Sequence, residues 1–251
     1  MKTIEESIRN AQSEGYENEA AEAKVCQDII LLALSQSTLC RNATIKGGVV
    51  MRGISGNLRR ATQDLDIDFI RYSLDDNSIN EFVRRLNVLD GFTIRRVGEI
   101  QELKQQDYHG KRLYIRINDM TGNSLKSKVD LGVHKHLSIK QEEYCFDIAI
   151  TDSGASLLIN SKEQMYTEKL RSLLKFGVVS TRAKDIFDMC YLSEKVDTEE
   201  LFNCFKTYIF TDPGMRENNL KDIIRRVMST FTTNRYRRRL ETSRKNWLDL
   251  D

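Results

Sequence analysis

Three aspartates stand at alternate positions in Gln63-Asp64-Leu65-Asp66-Ile67-Asp68, and Leu65, Ile67 and Phe69 fill the positions between and after them. A period of two is the mark of a strand with one acidic and one apolar face. Side chains two apart on a strand project the same way, so Asp64 and Asp66 converge. A converging carboxylate pair is a hard oxygen site suited to Mg²⁺ or Mn²⁺. Such a site takes a further acid from a neighbouring strand, and Asp130 in Lys128-Val129-Asp130-Leu131 is the candidate, because its apolar flanks point to a buried strand. Asp68, one step further on, reads as a salt-bridge partner rather than a ligand. Upstream, the apolar segment Ala43-Thr44-Ile45 runs into Lys46-Gly47-Gly48. Two glycines let the backbone approach a phosphate, and a helix starting there aims amide groups at it. Metal carboxylates, amide donors and a positive clamp are the parts of phosphoryl transfer. A D-x-D strand on its own is most often a solvated face and a Gly-Gly pair most often a turn; the ordered set, with Asp130, carries the argument.

These residues need elements to hold them. Residues 19–38 carry Val25, Ile29 and Leu32 at helical spacing, and Ile79, Phe82, Val83, Leu86 and Leu89 repeat that spacing over 78–90. Leu113, Ile115 and Ile117 predict a strand, the turn Thr121-Gly122-Asn123 follows, and Val129, Leu131 and Val133 line the next strand. A further strand fits Tyr144 to Ile150. Beyond residue 158 the pattern is helical. Ser161 with Gln164 reads as a capping box, and Gly177 closes that helix. Ser180 or Thr181 caps the next, whose inner face is Ala183, Ile186, Phe187 and Cys190; further helices fit 198–210 and 216–231. The reading is an α+β chain with a mixed-sheet domain over 1–158 and a helical domain over 159–251 that completes the active-site cleft.

Length and composition agree with this. The 251 residues can bury a substantial core, and 40% hydrophobic with 30% charged residues describes a soluble globular chain. No apolar run approaches a membrane span, and the N-terminus lacks a signal-peptide core. Five scattered cysteines with no C-x-x-C pair fit reduced thiols in the cytoplasm. His134 and His136 form an H-x-H pair without further zinc ligands. The net charge of +2 excludes nothing by itself, but Arg235-Tyr236-Arg237-Arg238-Arg239, followed by Arg244 and Lys245, concentrates cations where RNA phosphates could bind and Tyr236 could stack. A solvated helix face is the alternative.

The ordered motifs resemble the nucleotidyltransferase superfamily, with its Gly-Gly or Gly-Ser, its D-x-D strand and its lone acid on a later strand. More closely, Lys46-Gly47-Gly48-Val49-Val50-Met51 and Arg60-Ala61-Thr62-Gln63-Asp64-Leu65-Asp66 look like the AbiEii/AbiGii toxin family. Glu168-Lys169-Leu170 resembles that family's helix with an essential lysine, and Arg182-Ala183-Lys184-Asp185-Ile186-Phe187-Asp188 its R-x-x-D-[LI]-x-D segment. The resemblance spans residues 45–190. Val49 departs from it, replacing a Thr or Ser whose hydroxyl could contact phosphate.

The resemblance implies a polymerase beta-like nucleotidyltransferase domain and a toxin of a toxin–antitoxin or abortive-infection system, with NTP as donor, a cognate antitoxin and an RNA acceptor, the tRNA 3′ end foremost. Asp64, Asp66 and Asp130 become metal ligands, and Lys46, Gly47, Gly48 and Arg60 become nucleotide contacts. Lys169, on residue type alone either a solvated lysine or a triphosphate clamp, becomes the clamp. Asp185 becomes the functional acid, as general base or as anchor for Lys169, with Asp188 on the same helical face. Arg52 and Arg60 are phosphate contacts or surface residues. A protein or small-molecule acceptor, or a non-catalytic nucleotide-binding module, are the rival expectations.

Overall fold

In a computed structural model of the protein, which describes residues 1–103 and 110–248, the chain divides into two units, Met1–Asn160 and Ser161–Asp251. The first opens with α1 (Ile4–Ser13), where Thr3 and Glu6 form a capping box, followed by α2 (Asn18–Gln36). Next come β1 (Ala43–Lys46), α3 (Gly47–Ser55), a 3₁₀ turn at Leu58–Arg60, β2 (Asp64–Phe69) and α4 (Asp76–Arg85). Five strands complete the unit: β3 (Phe92–Leu103), β4 (Gly110–Asp119), β5 (Ser124–Val133), β6 (Glu142–Phe146) and β7 (Ala155–Ile159).

All seven strands form one sheet in the order β3-β4-β5-β2-β1-β7-β6. It is mixed: β2 runs parallel to β5, β1 runs parallel to β7, and the other neighbours are antiparallel. Strand period two divides it into two faces. Leu65, Ile67, Leu113, Ile115, Val129 and Leu131 are all buried on one of them. There α2 lies against β5 and β7, and α4 brings Phe82 edge-on to Phe69, ring centroids 5.1 Å apart. Burying an apolar face of this size is the dominant stabilisation of the unit. The opposite face carries Asp64, Asp66, Asp68 and Asp130.

Helical spacing predicts a single inward stripe on α2, but Ala23 through Leu34 are all buried. Contact with α1 on one side and the sheet on the other encloses the helix, Lys24 and Asp28 included, and those two answer each other at 2.6 Å. The strand expected over 144–150 ends at Phe146; Ile148 and Ile150 are buried in a turn, which alternation cannot tell from a strand. β3 and β7 have no counterpart in the sequence reading.

The second unit is helical. α5 (Lys162–Phe176) starts where Ser161 Oγ accepts from the Gln164 amide, and it stops at Gly177 with φ 51°. α6 (Ala183–Ser193) begins after Arg182 without a side-chain cap; Ser180, expected as its cap, accepts instead from the Arg182 amide. α7 (Thr198–Phe205) continues into a π-type turn, Lys206–Phe210, and α8 (Leu220–Phe231) and α9 (Asn234–Glu241) follow. Leu170, Leu173, Leu174, Ile186, Ile209 and Ile223 form the heart of its core. No helix among the described residues is long and apolar enough to cross a membrane.

Candidate active site

The register of the central strands brings the predicted carboxylates together. Asp66 on β2 stands directly beside Asp130 on β5, and Lys46 on β1 stands beside Asp66 on its other side. Partners in register project to one face, so Asp64, Asp66, Asp68 and Asp130 share a single surface with Lys46. β4 adds Arg112, in register with Asp130, and β5 adds Lys128, in register with Asp64.

Cations already answer three of the acids. Lys128 Nζ lies 2.6 Å from Asp64 and Lys46 Nζ lies 2.7 Å from Asp68, so the salt-bridge reading of Asp68 describes its geometry. Arg112 forks onto Asp130, with Nε at 2.7 Å from one oxygen and Nη2 at 2.8 Å from the other. Two parallel bonds of this kind fix position as well as charge. Four carboxylates thus meet three cations, and among the described residues Asp66 is the acid without an ion pair. Burial pushes its carboxyl up to about 6; Lys46 opposes that rise, while Asp130, Asp64 and Asp68 add to it. Asp66 keeps some exposed surface as a residue, but its carboxyl end is enclosed.

The reason is Gly47. Its φ of +68° lies in the left-handed region, and a Cβ there would collide with Asp66 Oδ2. Gly48 is equally constrained, because a Cβ would stand 2.7 Å from Thr62. The glycine pair therefore opens α3 with its backbone pressed against the acid strand, as the sequence predicts. Val49 is buried, so the expected hydroxyl position is filled by apolar core. A carboxylate with charge to spare, against a cradle that any Cβ would fill, suits a hard divalent cation in its donor chemistry. Asp64 and Asp130 are turned towards Lys128 and Arg112, however, and no three potential ligands among the described residues stand close enough together to hold one.

Two arginines depart from expectation. Neither Arg52 nor Arg60 is a surface side chain: Arg60 is buried in its 3₁₀ turn, and Arg52 is buried with Nη1 on Gln27 Oε1 at 2.7 Å. The Arg52 guanidinium stands 3.6 Å from Asp28 and is part of the α2 scaffold.

In the second unit Lys169 is neither solvated nor isolated. Its Nζ donates to Asp185 at 3.1 Å and to Asp188 at 2.7 Å, so both candidate acids are engaged by the same ammonium. Asp188 is fully buried and also accepts from Trp247 Nε1 at 3.0 Å. Of the basic segment, Arg235, Arg237 and Arg238 are exposed. Tyr236 corrects the stacking expectation: it is buried, edge-on to Phe231 with centroids 5.5 Å apart, and an aromatic inside a core cannot receive a base. Arg239 lies over the Tyr236 ring and donates to the carbonyls of Val178 and Ser180, tying α9 to the turn after α5. Lys128, Arg112 and Trp247 are participants the sequence reading did not name; opposite-charge types at matching positions on adjacent strands were the available signal for the first two.

Solved structures with some likeness include an antigenic nucleotidyltransferase-like protein from Paracoccidioides brasiliensis, 14% identical, with 84% of this chain and 90% of that one covered and a TM-score of 0.39. The antibiotic-resistance factor ANT(2'')-Ia is also 14% identical, over 76% of this chain and 92% of its own, with a TM-score of 0.45. No curated protein matches. The model of the nucleotidyl transferase AbiEii toxins of type IV toxin–antitoxin systems matches residues 29–248, from within α2 to just beyond Trp247, and the chain belongs to that family.

Proposed function

We propose that this nucleotidyltransferase acts in the cytoplasm, moving a nucleotide from an NTP to RNA, the tRNA 3′ end in particular, and that a cognate antitoxin counters it. The observation that carries the reading is the shared face of β2 and β5, with Asp64, Asp66 and Asp130 beside the Gly47–Gly48 opening of α3. In the reaction the acceptor oxygen bonds to the α-phosphorus, the bond to the bridging oxygen breaks, pyrophosphate leaves, and the hydroxyl proton passes to a carboxylate. Asp64 and Asp66, with Asp130, are the residues that would hold Mg²⁺ or Mn²⁺, which when bound supplies positive charge to the phosphates. Lys46, Gly47, Gly48 and Arg60 form the nucleotide side of the proposal. The amides at the start of α3 favour an anion. Lys169, positioned by Asp185 and Asp188, is the proposed triphosphate contact, with Asp185 its anchor rather than a base.

Incubation with each labelled NTP, total RNA and either Mg²⁺ or chelator tests this. The expected result is label in RNA, in tRNA above all, that requires the metal. Label entering protein instead would overturn the RNA acceptor, and equal labelling under chelation would overturn the metal.

A further inference from the structure

The face of the sheet that carries the carboxylates does not end with them. Moving from Asp64 and Asp66 towards the β3 edge, the same face passes Lys128 and Tyr114, which are in register, and then a complete cross-strand row, Arg95–Arg116–Lys126, on β3, β4 and β5. All three cations are exposed, and among the described residues none of them makes an ion pair. Cross-strand neighbours sit about 5 Å apart at Cβ, and like charges directly opposite destabilise a sheet. Sheets ordinarily place opposite charges there, as this one does at Arg112–Asp130 and Lys128–Asp64. Three aligned cations with no acid in their row leave a repulsion that a polyanion would relieve. Tyr114 is 38% exposed, enough ring to receive a base, and it lies between the row and Arg112 on β4. Lys126 is two residues from Lys128, roughly 7 Å along the strand, and Lys128 in turn touches Asp64.

We infer that this row is the phosphate track for the single-stranded end of the RNA acceptor, with Tyr114 as its stacking platform, leading the terminal nucleotide to the carboxylates. The inference rests on the proposed RNA acceptor and locates it on the sheet rather than on the basic helix α9. A groove of cations beside an aromatic is how single strands are held without regard to sequence.

The test is fluorescence anisotropy of a labelled single-stranded RNA and of labelled tRNA over a salt series, with nucleotide binding measured in parallel. Replacing Arg95, Arg116 and Lys126 together by Gln should weaken RNA at least roughly tenfold at low salt and flatten the salt slope by about 2, at about 0.7 per lost phosphate contact on a single strand. Nucleotide affinity should hold. Tyr114→Ala should lower affinity about tenfold and leave the slope unchanged. If the triple variant loses its cooperative thermal transition, Arg116→Gln alone is read, with an expected slope change of about 0.7. Wild-type RNA binding by the sheet variants, or a loss confined to an Arg235→Gln/Arg237→Gln/Arg238→Gln variant, would overturn the track while the RNA acceptor stands. Failure of the wild-type protein to bind either RNA would overturn both.

Discussion

The acid face of the sheet and the Lys169 network of the helical unit use the same residue types but pair them differently. On the sheet, Asp64, Asp66, Asp68 and Asp130 outnumber Lys46, Arg112 and Lys128, and Asp66 is left enclosed with its carboxyl raised. In the helices one ammonium joins two carboxylates, Arg182 stands 3.6 Å from the first, and an indole N–H donates to the second. Crowded like charge that the fold does not neutralise is a cost to stability, retained where charge has work to do. A buried ion cluster closed by hydrogen bonds holds parts in place, and its removal exposes the charges left behind. Deletion should therefore register first in activity on the sheet and first in stability in the helices, where loss of Lys169 would also remove the proposed triphosphate contact.

The largest expected effect breaks the sheet side. Asp66→Ala should lower nucleotide transfer by roughly a thousandfold or more, the several kcal/mol that a bound metal's charge supplies, with a melting temperature equal to or above that of the wild type. A folded, fully active Asp66→Ala protein would remove the acid face from the reaction. Next, Lys169→Ala takes the shared ammonium from Asp185 and Asp188 and should cost about 3–5 kcal/mol of stability in chemical denaturation. An unchanged denaturation midpoint would show that the network is not structural, and the contrast between the regions would fall.

The third sharpens the charge imbalance. The Asp66 carboxyl titrates above its ordinary value, at about 6 against 3.8. Its neutral form is thus favoured by folding. The stability linked to it is fully present below the ordinary carboxylate range and is lost as pH rises through about 6. Without added metal, acidification from pH 7 towards 4 should stabilise the wild type through this group by up to about 3 kcal/mol, and Asp66→Asn should flatten that part of the profile. Identical profiles would mean that the carboxyl is not crowded. The smallest expected loss is Gly47→Ala, about 1–3 kcal/mol for a side chain in the left-handed region, and the clash with Asp66 should reduce transfer along with it. An unaltered melting temperature and rate would show that the cradle is loose.

Much of the first unit was legible because a single strand announces itself. The alternation of Asp64 to Phe69 fixes both its faces, and the glycines before it mark the start of α3. The partners of the acids were not legible. Period two tells which way Arg112 and Lys128 point, but not which residue of another strand they stand beside; register is decided by the sheet as a whole. β3 escaped notice because Arg95, Arg96, Glu99 and Glu102 are exposed, and a strand wet on both sides at one edge loses its apolar alternation. In the helices, short-range signals such as Ser161 and Gly177 are plain, whereas the bond from Trp247 to Asp188 joins positions 59 apart and has no local signature. The basic run around Tyr236 misled for the opposite reason: five adjacent residues look like one surface, but a helix turns the tyrosine inward.

That same indole bond bears on the order in which the chain can mature during synthesis. Domains assemble as they emerge from the ribosome, N-terminal parts first. The sheet needs nothing beyond its own strands, the last of which ends at Ile159. In the helical unit Asp188 gains its indole donor only once residue 247 has been made. A ribosome translating this message therefore carries a sheet free to form while the lysine network still waits for its indole donor, and a chain cut short before Trp247 would leave Asp188 without that bond.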